Sequence, residues 1–223
     1  MHEKIISIAN QKGGVGKSTV TMHLAGALAA SGYSVLVVNA DRQATALKWS
    51  AHAPDDTPFP ATCVNLFDAG GKLHREVQKL YKSYDFTIID CPPNLESVIP
   101  ASAAMISDLV LMVMRPTMTD FDSLTDFLPL VHRAQAVRES LQARVLITQY
   151  RRNAMATLTL ATLEKHGISR LNTVIGDRTA YAEGDPMGSH VLAMKGVPAA
   201  AKVETAALRD ELLELMEERD GKT

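Results

Sequence analysis

The chain has 223 residues, of which 46% are hydrophobic, and its 23 Lys and Arg nearly balance 25 Asp and Glu for a formal net charge of −2. This length suits one sizeable domain, residues 1–223, and is too short for two ordinary domains with a linker. The charge balance excludes a uniformly basic nucleic-acid binder, so any DNA contact must come from a local patch. No apolar run approaches the roughly 20 residues that span a bilayer, and no signal peptide precedes the first strand-like run. We therefore expect one cytoplasmic domain.

Apolar runs alternate with helix-period segments along the chain. The predicted strands are 4–9, 35–38, 61–66, 86–89, 109–114, 145–148 and 171–175. The predicted helices are 17–30, 69–82, 95–107, 121–139, 154–166 and 198–219. Continuously apolar strands are typical of burial on both faces, so the pattern predicts a doubly wound α/β fold, a mostly parallel sheet flanked by helices. Ligands of such folds bind at the carboxyl ends of the strands.

Three local signals refine this pattern. Residues 51–60 contain three prolines and no periodicity, which predicts a surface loop. Residues 123–126, Ser-Leu-Thr-Asp, fit a helix capping box. The last helix should dock on the sheet through one apolar face, made of Val203, Ala207, Leu208, Leu212, Leu215 and Met216.

A glycine-rich segment, KGGVGKST at residues 12–19, lies between the first predicted strand and the first predicted helix. Its glycines let backbone N–H groups converge on phosphate oxygens, and the helix N-terminus adds partial positive charge. In the pattern G-x-x-x-x-G-K-[ST], the lysine (here Lys17) reaches the β/γ-phosphates and the hydroxyl that follows (Ser18) ligates Mg²⁺. The predicted nucleotide-binding residues are Lys12, Gly13, Gly14, Val15, Gly16, Lys17, Ser18 and Thr19.

One position breaks the standard pattern. Gln11 stands where the first glycine belongs, and a second lysine, Lys12, follows it. The form K-G-G-x-G-K-[ST] resembles the deviant Walker A box of the ParA/MinD superfamily of ATPases. The resemblance implies ATP and Mg²⁺ as cofactors and a homodimer formed with ATP, in which Lys12 reaches the nucleotide of the partner. The alternative for Lys12 is a solvated surface lysine.

Asp41 follows the second predicted strand in the segment VNADRQ, residues 38–43. ParA-like ATPases carry D-x-D-P-Q here, and the resemblance implies that Asp41 joins Lys12 and Lys17 in catalysis by positioning the water that attacks the γ-phosphate. Asn39 replaces the first Asp of that motif and Arg42 replaces the Pro, which leaves the charge and rigidity of the turn open. An N-terminal helix cap explains Asp41 equally well when the residue is considered alone.

The segment FTIIDCPP, residues 86–93, is an apolar strand that ends in an acid and two prolines. It looks like a Walker B motif. Asp90 would then hold Mg²⁺ through a water, since Mg²⁺ keeps most of its hydration shell and binds few protein carboxylates. An ordinary turn aspartate is the alternative.

Two further segments follow later strands. Residues 114–121 occupy a turn where the ParA/MinD superfamily contacts the nucleotide or the partner subunit, and residues 149–153 could hold the base or begin a basic patch. The resemblance implies phosphate-mediated DNA binding by basic residues of the C-terminal third, although scattered basic residues are usually a solvated surface. The candidates are Arg151, Arg152, Arg170, Arg178, Lys195 and Lys202.

The resemblance covers essentially the whole chain and implies a small ParA-type ATPase. Such a protein binds nucleoid DNA without sequence preference and positions a cargo, either a plasmid or a large protein assembly. An adaptor or a centromere-binding protein stimulates its hydrolysis. Because the first strand begins at residue 4, we expect no N-terminal helix-turn-helix domain and no operator-specific binding.

Other classes share the loop. A MinD-like membrane positioner needs a basic amphipathic C-terminus, but residues 203–223 carry seven acids against three bases, so no stable membrane association is expected. An iron–sulfur reductase needs two cysteines that bridge a cluster; Cys63 and Cys91 do not match that placement and suit buried thiols. A metabolic kinase or ligase needs a separate substrate constellation, which the sequence does not display.

Overall fold

A single parallel sheet forms the centre of the molecule. The computed structural model describes residues 3–94 and 97–220, with side chains up to residue 217. The strands in this part of the chain are β1 (Lys4–Ala9), β2 (Val35–Asn39), β3 (Thr62–Asn65), β4 (Phe86–Asp90), β5 (Leu109–Met114), β6 (Gln142–Tyr150) and β7 (Arg170–Gly176). Their order is β3-β2-β4-β1-β5-β6-β7, and every adjacent pair is parallel.

Helices cover both faces of the sheet, which confirms the predicted doubly wound α/β fold. Over the described residues they are α1 (Lys17–Ala30), α2 (Thr45–Ala51), α3 (Leu73–Gln78), α4 (Val98–Ala104), α5 (Met118–Val137), α6 (Ala154–Lys165), α7 (Thr179–Glu183) and α8 (Ala199–Asp220).

Alternate side chains of each strand enter different cores. Ile6 and Ile8 of β1 pack with residues of α1, α2 and α8, whereas Ile5 and Ala9 pack with residues of α3, α4, α5 and α6. All six residues of β1 are buried, as are all six of β5. This two-sided burial is why the strands are continuously apolar in the sequence. It also fixes β1 at the middle of the sheet, with the glycine-rich segment at its carboxyl end.

Several predicted boundaries needed correction. The single helix predicted over 69–82 is wrong: a 3₁₀ turn (Phe67–Lys72), α3 and a second short 3₁₀ turn replace it. Gly70 has φ 51° and ψ −128°, a conformation that breaks the helical path. The helix predicted over 95–107 is α4, and residues 95 and 96 lie outside the described residues.

The predicted capping box at residues 123–126 is wrong. Helix α5 already begins at Met118, and its N-cap is Thr117, whose hydroxyl oxygen accepts a hydrogen bond from the Asp120 N–H at 3.2 Å. Ser123 lies inside the helix, where its hydroxyl donates to the Thr119 carbonyl at 3.1 Å. Polar residues in the first turns of a helix mimicked a helix start.

Two short helices, α2 and α7, were not predicted, because five to seven residues give too little periodicity to detect. The predicted loop at 51–60 starts at the last residue of α2 and is anchored by Phe59, which is buried. Helix α8 docks through Leu208, Leu212 and Met216 as predicted, but Val203 is 66% exposed and lies off that face. None of the helices in the described residues is both long and apolar enough to cross a membrane.

Candidate functional site

The glycine-rich segment forms a loop that leads directly into the N-terminus of α1. Gly14 and Gly16 have φ values of 72° and 92°, in the left-handed region that glycine adopts without strain. Gly16 is the N-cap residue of α1, and no acidic side chain occupies the first turn of that helix. The N–H groups of the first helical turn and the positive end of the helix dipole therefore face an open cleft that is suited to binding an anion.

That cleft has a volume of about 420 Å³. The loop, the turn after β2, the turn after β4 and the end of β6 line it. The lining residues are Gly13, Gly14, Gly16, Lys17, Ser18, Thr19, Asp41, Gln43, Thr45, Pro93 and Gln149. All three predicted motifs thus converge at one edge of the sheet, as the carboxyl ends of parallel strands require.

Lys17 is buried under the loop. Its Nζ donates a hydrogen bond to the Lys12 carbonyl at 2.9 Å, which places the ammonium inside the curve of the loop. Burial lowers the pKa of Lys17, while the nearby carboxylates of Asp90 and Asp41 act in the opposite direction. A polyanion that binds beside this buried ammonium strongly stabilises its charged form.

Ser18 and Asp90 are directly hydrogen-bonded. The Ser18 hydroxyl donates to Asp90 Oδ2 at 2.6 Å, and the Thr21 hydroxyl lies 3.5 Å from Oδ1. Burial raises the pKa of Asp90 to about 6, partly offset by the bond from Ser18 and the charge of Lys17. Asp90 is therefore more than an exposed turn residue, since its side chain faces the first turn of α1.

Asp41 lines the cleft and does not cap α2. Its Oδ1 accepts a hydrogen bond from the Gln43 N–H at 3.1 Å, while the N-cap position of α2 is Ala44, in the left-handed conformation. Asn39, on the buried edge of β2, fixes the turn: its amide donates to the Asp41 carbonyl and to Asn65 Oδ1, both at 2.8 Å. The departures from D-x-D-P-Q thus leave a hydrogen-bonded turn with the Asp41 carboxylate beside the phosphate loop.

Lys12 forms an ion pair within its own chain. Its Nζ contacts Asp120 Oδ1, and Asp120 also accepts hydrogen bonds from Arg115 Nε at 2.8 Å and Nη2 at 3.1 Å. Burial opposes ionisation of Asp120, but the bonds from Arg115 and Lys12 outweigh it and lower the pKa of this carboxyl. The sequence singled out residues 114–121 without finding this contact, since Lys12 and Asp120 are 108 positions apart.

A second cavity of about 170 Å³ lies on the other side of the loop. Gly16, Thr19 and Val20 form one wall, Thr148 and Gln149 a second, and the segment 175–182 the third. The sequence predicts that residues 149–153 hold the base or begin a basic patch, whereas in the segment 175–182 it offers only Arg178, as a DNA-binding candidate. The weak strand β7 and the short helix α7 gave little signal there.

The six basic candidates for DNA binding do not form one patch. Arg151 and Arg178 follow the carboxyl ends of β6 and β7, whereas Arg170 begins β7 at the opposite edge of the sheet. Seven strand residues separate these edges by about 20 Å. Arg151 is paired with Asp177 at 2.6 Å, Arg178 with Glu204 at 2.6 Å, and Lys202 Nζ donates to the Leu192 carbonyl at 3.4 Å. Arg152 and Lys195 are exposed, and DNA contact by any of the six stays a prediction.

Two cysteines and two histidines lie wholly or partly inside the core. Among the described residues, no group of three or more His, Cys, Asp or Glu side chains is placed to hold a metal ion. Cys91 is fully buried and Cys63 half-buried, in agreement with buried thiols. Burial lowers the pKa of both His23 and His190, two core histidines, to about 4.

A phosphate-binding loop at the end of the central strand, with a hydroxyl and a carboxylate joined behind it, defines a P-loop nucleotide-binding protein. The family model described as the CobQ/CobB/MinD/ParA nucleotide binding domain matches residues 6–191. The chain belongs to this family, as the loop sequence predicted.

Individual relatives agree with this assignment. The chain is 26% identical over 205 residues to the maintenance of carboxysome distribution protein A of Halothiobacillus neapolitanus, covering 89% of this chain and 92% of that protein. It is 27% identical over 234 residues to the chromosome partitioning protein ParA of Caulobacter vibrioides, covering 85% and 86%. The structure of a Cyanothece McdA variant in complex with ATP superposes with a TM-score of 0.79 at 17% identity, covering 95% and 96% of the two chains. The first two relatives are named for carboxysome distribution and chromosome partitioning, and the solved structure shares the fold.

Proposed function

We propose that this chain is a Mg²⁺-dependent ATPase that dimerises with ATP, binds nucleoid DNA non-specifically and positions a cargo when a partner protein stimulates hydrolysis. One observation supports it above the others: the 420 Å³ cleft gathers Lys17, the Ser18–Asp90 pair and Asp41 around the N-terminus of α1. The cargo is a plasmid or a large protein assembly, and the partner is an adaptor or a centromere-binding protein. Relatives that distribute carboxysomes or partition chromosomes support this class of cargo.

The residues of the cleft suit Mg²⁺. Ser18 Oγ and Asp90 Oδ2 are hard oxygen donors that lie 2.6 Å apart at the phosphate loop. Ser18 would ligate the ion and Asp90 would hold one of its waters. Bound there, Mg²⁺ neutralises charge on the β- and γ-phosphates. Asp90 must lose its proton to serve this role, and its raised pKa makes the site pH-sensitive.

Different groups of the chain then bind the phosphates and position the attacking water. The loop N–H groups and the Lys17 ammonium hold the β/γ-phosphates, for which Lys17 exchanges its bond to the Lys12 carbonyl. The Asp41 carboxylate accepts a hydrogen bond from a water and aims its oxygen at the γ-phosphorus. As that oxygen bonds to phosphorus, the bond to the β,γ-bridging oxygen breaks, ADP leaves, and the protons of the water pass to the released phosphate and to solvent. Positioning and charge stabilisation supply most of the rate in such reactions.

Dimerisation is proposed to involve a change of partner by Lys12. In the single chain its ammonium is held by Asp120, which also has two bonds from Arg115. Asp120 therefore remains neutralised when Lys12 leaves, so the lysine is free to reach the nucleotide of a second subunit. The γ-phosphate then becomes part of the contact, and its loss on hydrolysis separates the subunits.

The proposal is tested by phosphate release and by light scattering after size exclusion, with Mg·ATP and with Mg·ADP. The wild type should hydrolyse ATP slowly and dimerise with ATP only. Asp41→Ala should bind ATP and stay dimeric, with turnover reduced about 100-fold. Lys12→Ala should bind ATP yet remain monomeric, whereas the surface control Lys79→Ala should behave as the wild type.

Unchanged turnover in Asp41→Ala would remove that residue from the mechanism, and ATP-dependent dimers of Lys12→Ala would remove the trans role of the lysine. The DNA arm uses gel shifts with unrelated duplexes at two salt concentrations. ATP-dependent, salt-sensitive binding is expected. Binding to anionic liposomes in place of DNA would refute the nucleoid component.

A further inference from the structure

The end of strand β6 contacts the phosphate loop from behind. The Thr148 hydroxyl lies 2.7 Å from the Val15 carbonyl oxygen and 3.2 Å from that of Met114, so its proton is shared between the loop and the neighbouring strand β5. The Gln149 side-chain amide donates to the Gly14 carbonyl at 3.0 Å. Two successive loop carbonyls are therefore held by two successive residues of β6.

Holding a carbonyl also orients an N–H group. In a trans peptide the C=O of one residue and the N–H of the next point in opposite directions. The bond from Gln149 to the Gly14 carbonyl thus directs the Val15 N–H away from Gln149. The bond from Thr148 to the Val15 carbonyl directs the Gly16 N–H away from Thr148. Phosphate loops bind anions through such converging N–H groups, and a flipped peptide would present a repelling carbonyl instead.

Gln149 adopts a backbone conformation that is unfavourable for its residue type. Its φ is 49°, one of two positive values among the described residues other than glycine. Strained backbone of this kind persists where surrounding contacts hold it, and it clusters at functional sites. The residue also lines both cavities beside the loop, so its side chain lies at the boundary between them.

We propose that Gln149 is a positioning residue for the phosphate loop, whose amide holds the Gly14–Val15 peptide in the orientation that the loop needs to bind a polyphosphate. The inference rests on the proposed function, because nucleotide phosphates are the ligand of that loop. Thr148 supports the adjacent peptide but is buried and joins two strands, so Gln149 is the residue whose role can be isolated. A contact from Gln149 to the nucleotide base, through the second cavity, is the competing role.

Two variants separate the hydrogen bond from the backbone strain. Gln149→Met keeps the length and the strained backbone but removes the donor, whereas Gln149→Gly removes the donor and relieves the strain. Gln135→Met is the matched control: the Gln135 amide donates to the Leu141 carbonyl at 3.1 Å, the same kind of bond far from the loop. Unfolding temperatures of all three identify any variant that fails to fold, and Gln149→Gly should retain at least the wild-type value.

The probes are Mg·ATP and inorganic tripolyphosphate, the latter in competition with a fluorescent ATP analogue. Both Gln149 variants should bind both ligands roughly fivefold more weakly than the wild type and Gln135→Met, the size expected for one neutral hydrogen bond. Amide hydrogen exchange at Val15 in the free protein should be faster in Gln149→Met. Unchanged affinity for ATP in the folded variants overturns the inference. Weaker binding of ATP with unchanged binding of tripolyphosphate overturns it too, in favour of the base contact. A wild type that binds neither ligand refutes the proposed function instead.

Discussion

The phosphate loop and the segment after β7 lie side by side at one edge of the sheet, yet the cations of the two regions have different kinds of partner. In the loop, Lys17 is buried and bonded to a backbone carbonyl, so its charge remains available to a ligand. After β7, Arg178 makes a close ion pair with Glu204, which also accepts from the Tyr181 hydroxyl at 2.8 Å and from the Gly176 N–H at 3.1 Å. On binding a ligand, Lys17 would give up one bond to a backbone carbonyl, whereas Arg178 would have to leave an ion pair.

The largest effect should come from the loop cation. Lys17→Met removes the charge that meets the β/γ-phosphates, so ATP turnover should fall by at least ~100-fold. Phosphate release at saturating Mg·ATP measures it. The control is Lys79→Met, which removes an exposed lysine paired with Glu76 and should leave turnover unchanged. Equal turnover in both variants would contradict a ligand role for Lys17.

Asp90, the buried carboxylate behind the loop, should make nucleotide binding pH-dependent. Its pKa of about 6 lies above the ordinary 3.8, so Asp90 is mostly protonated at pH 5 and ionised at pH 7. Binding of Mg·ATP should therefore tighten about tenfold between these values relative to Asp90→Asn, whose profile lacks this contribution. Titration calorimetry across the range measures it. Parallel profiles for the two proteins would show that Asp90 does not titrate with magnesium binding.

The raised pKa of Asp90 affects the stability of the free protein in the opposite direction: stability falls as the pH rises. A folded pKa above the unfolded one contributes stability that is fully present below pH 3.8 and is lost as the pH rises through about 6. Without magnesium, burial of the ionised Asp90 then destabilises the fold. Magnesium should restore stability above pH 6 in the wild type and not in Asp90→Asn, which unfolding curves with and without the ion can measure.

The smallest effects should come from the basic residues. Arg152→Ala combined with Lys195→Ala should weaken DNA binding severalfold and reduce the salt slope by about two, because both side chains are exposed. Arg178→Ala should instead lower the free energy of unfolding by about 1–2 kcal/mol, since it leaves a half-buried glutamate without its ion pair.

Gel shifts and unfolding curves for the Arg152/Lys195 double variant and for Arg178→Ala distinguish these outcomes. Loss of DNA binding in Arg178→Ala at unchanged stability would place that arginine at the DNA. An unaffected Arg152/Lys195 double variant would exclude both from the DNA surface. Either result would erase the proposed contrast between ligand-facing and structural cations.

Features that are local in sequence could be predicted. The loop at residues 12–19 has fixed spacing between a strand and a helix, and the strand that ends at Asp90 is continuously apolar, so both the fold and the three motifs were readable. These signals depend on neighbouring residues alone, which is why their positions in the structure match the expectation.

Contacts between distant residues could not be predicted. Lys12 meets Asp120 across 108 positions, and Gln149 reaches Gly14 across 135, because the strand order places β5 beside β1 and β6 beside β5. The burial of His23 against the segment that contains Val191 depends on the same long-range topology: the Val191 N–H donates to its ring at 3.2 Å. No spacing rule carries such information.

A structure of the protein with a non-hydrolysable ATP analogue and Mg²⁺ tests the central claim most directly. We predict a dimer with the triphosphate on the loop N–H groups, the metal at Ser18, and Lys12 moved from Asp120 to the nucleotide of the second subunit. A nucleotide bound away from the loop, or a lone subunit whose Lys12 still contacts Asp120 with the analogue in place, would contradict it.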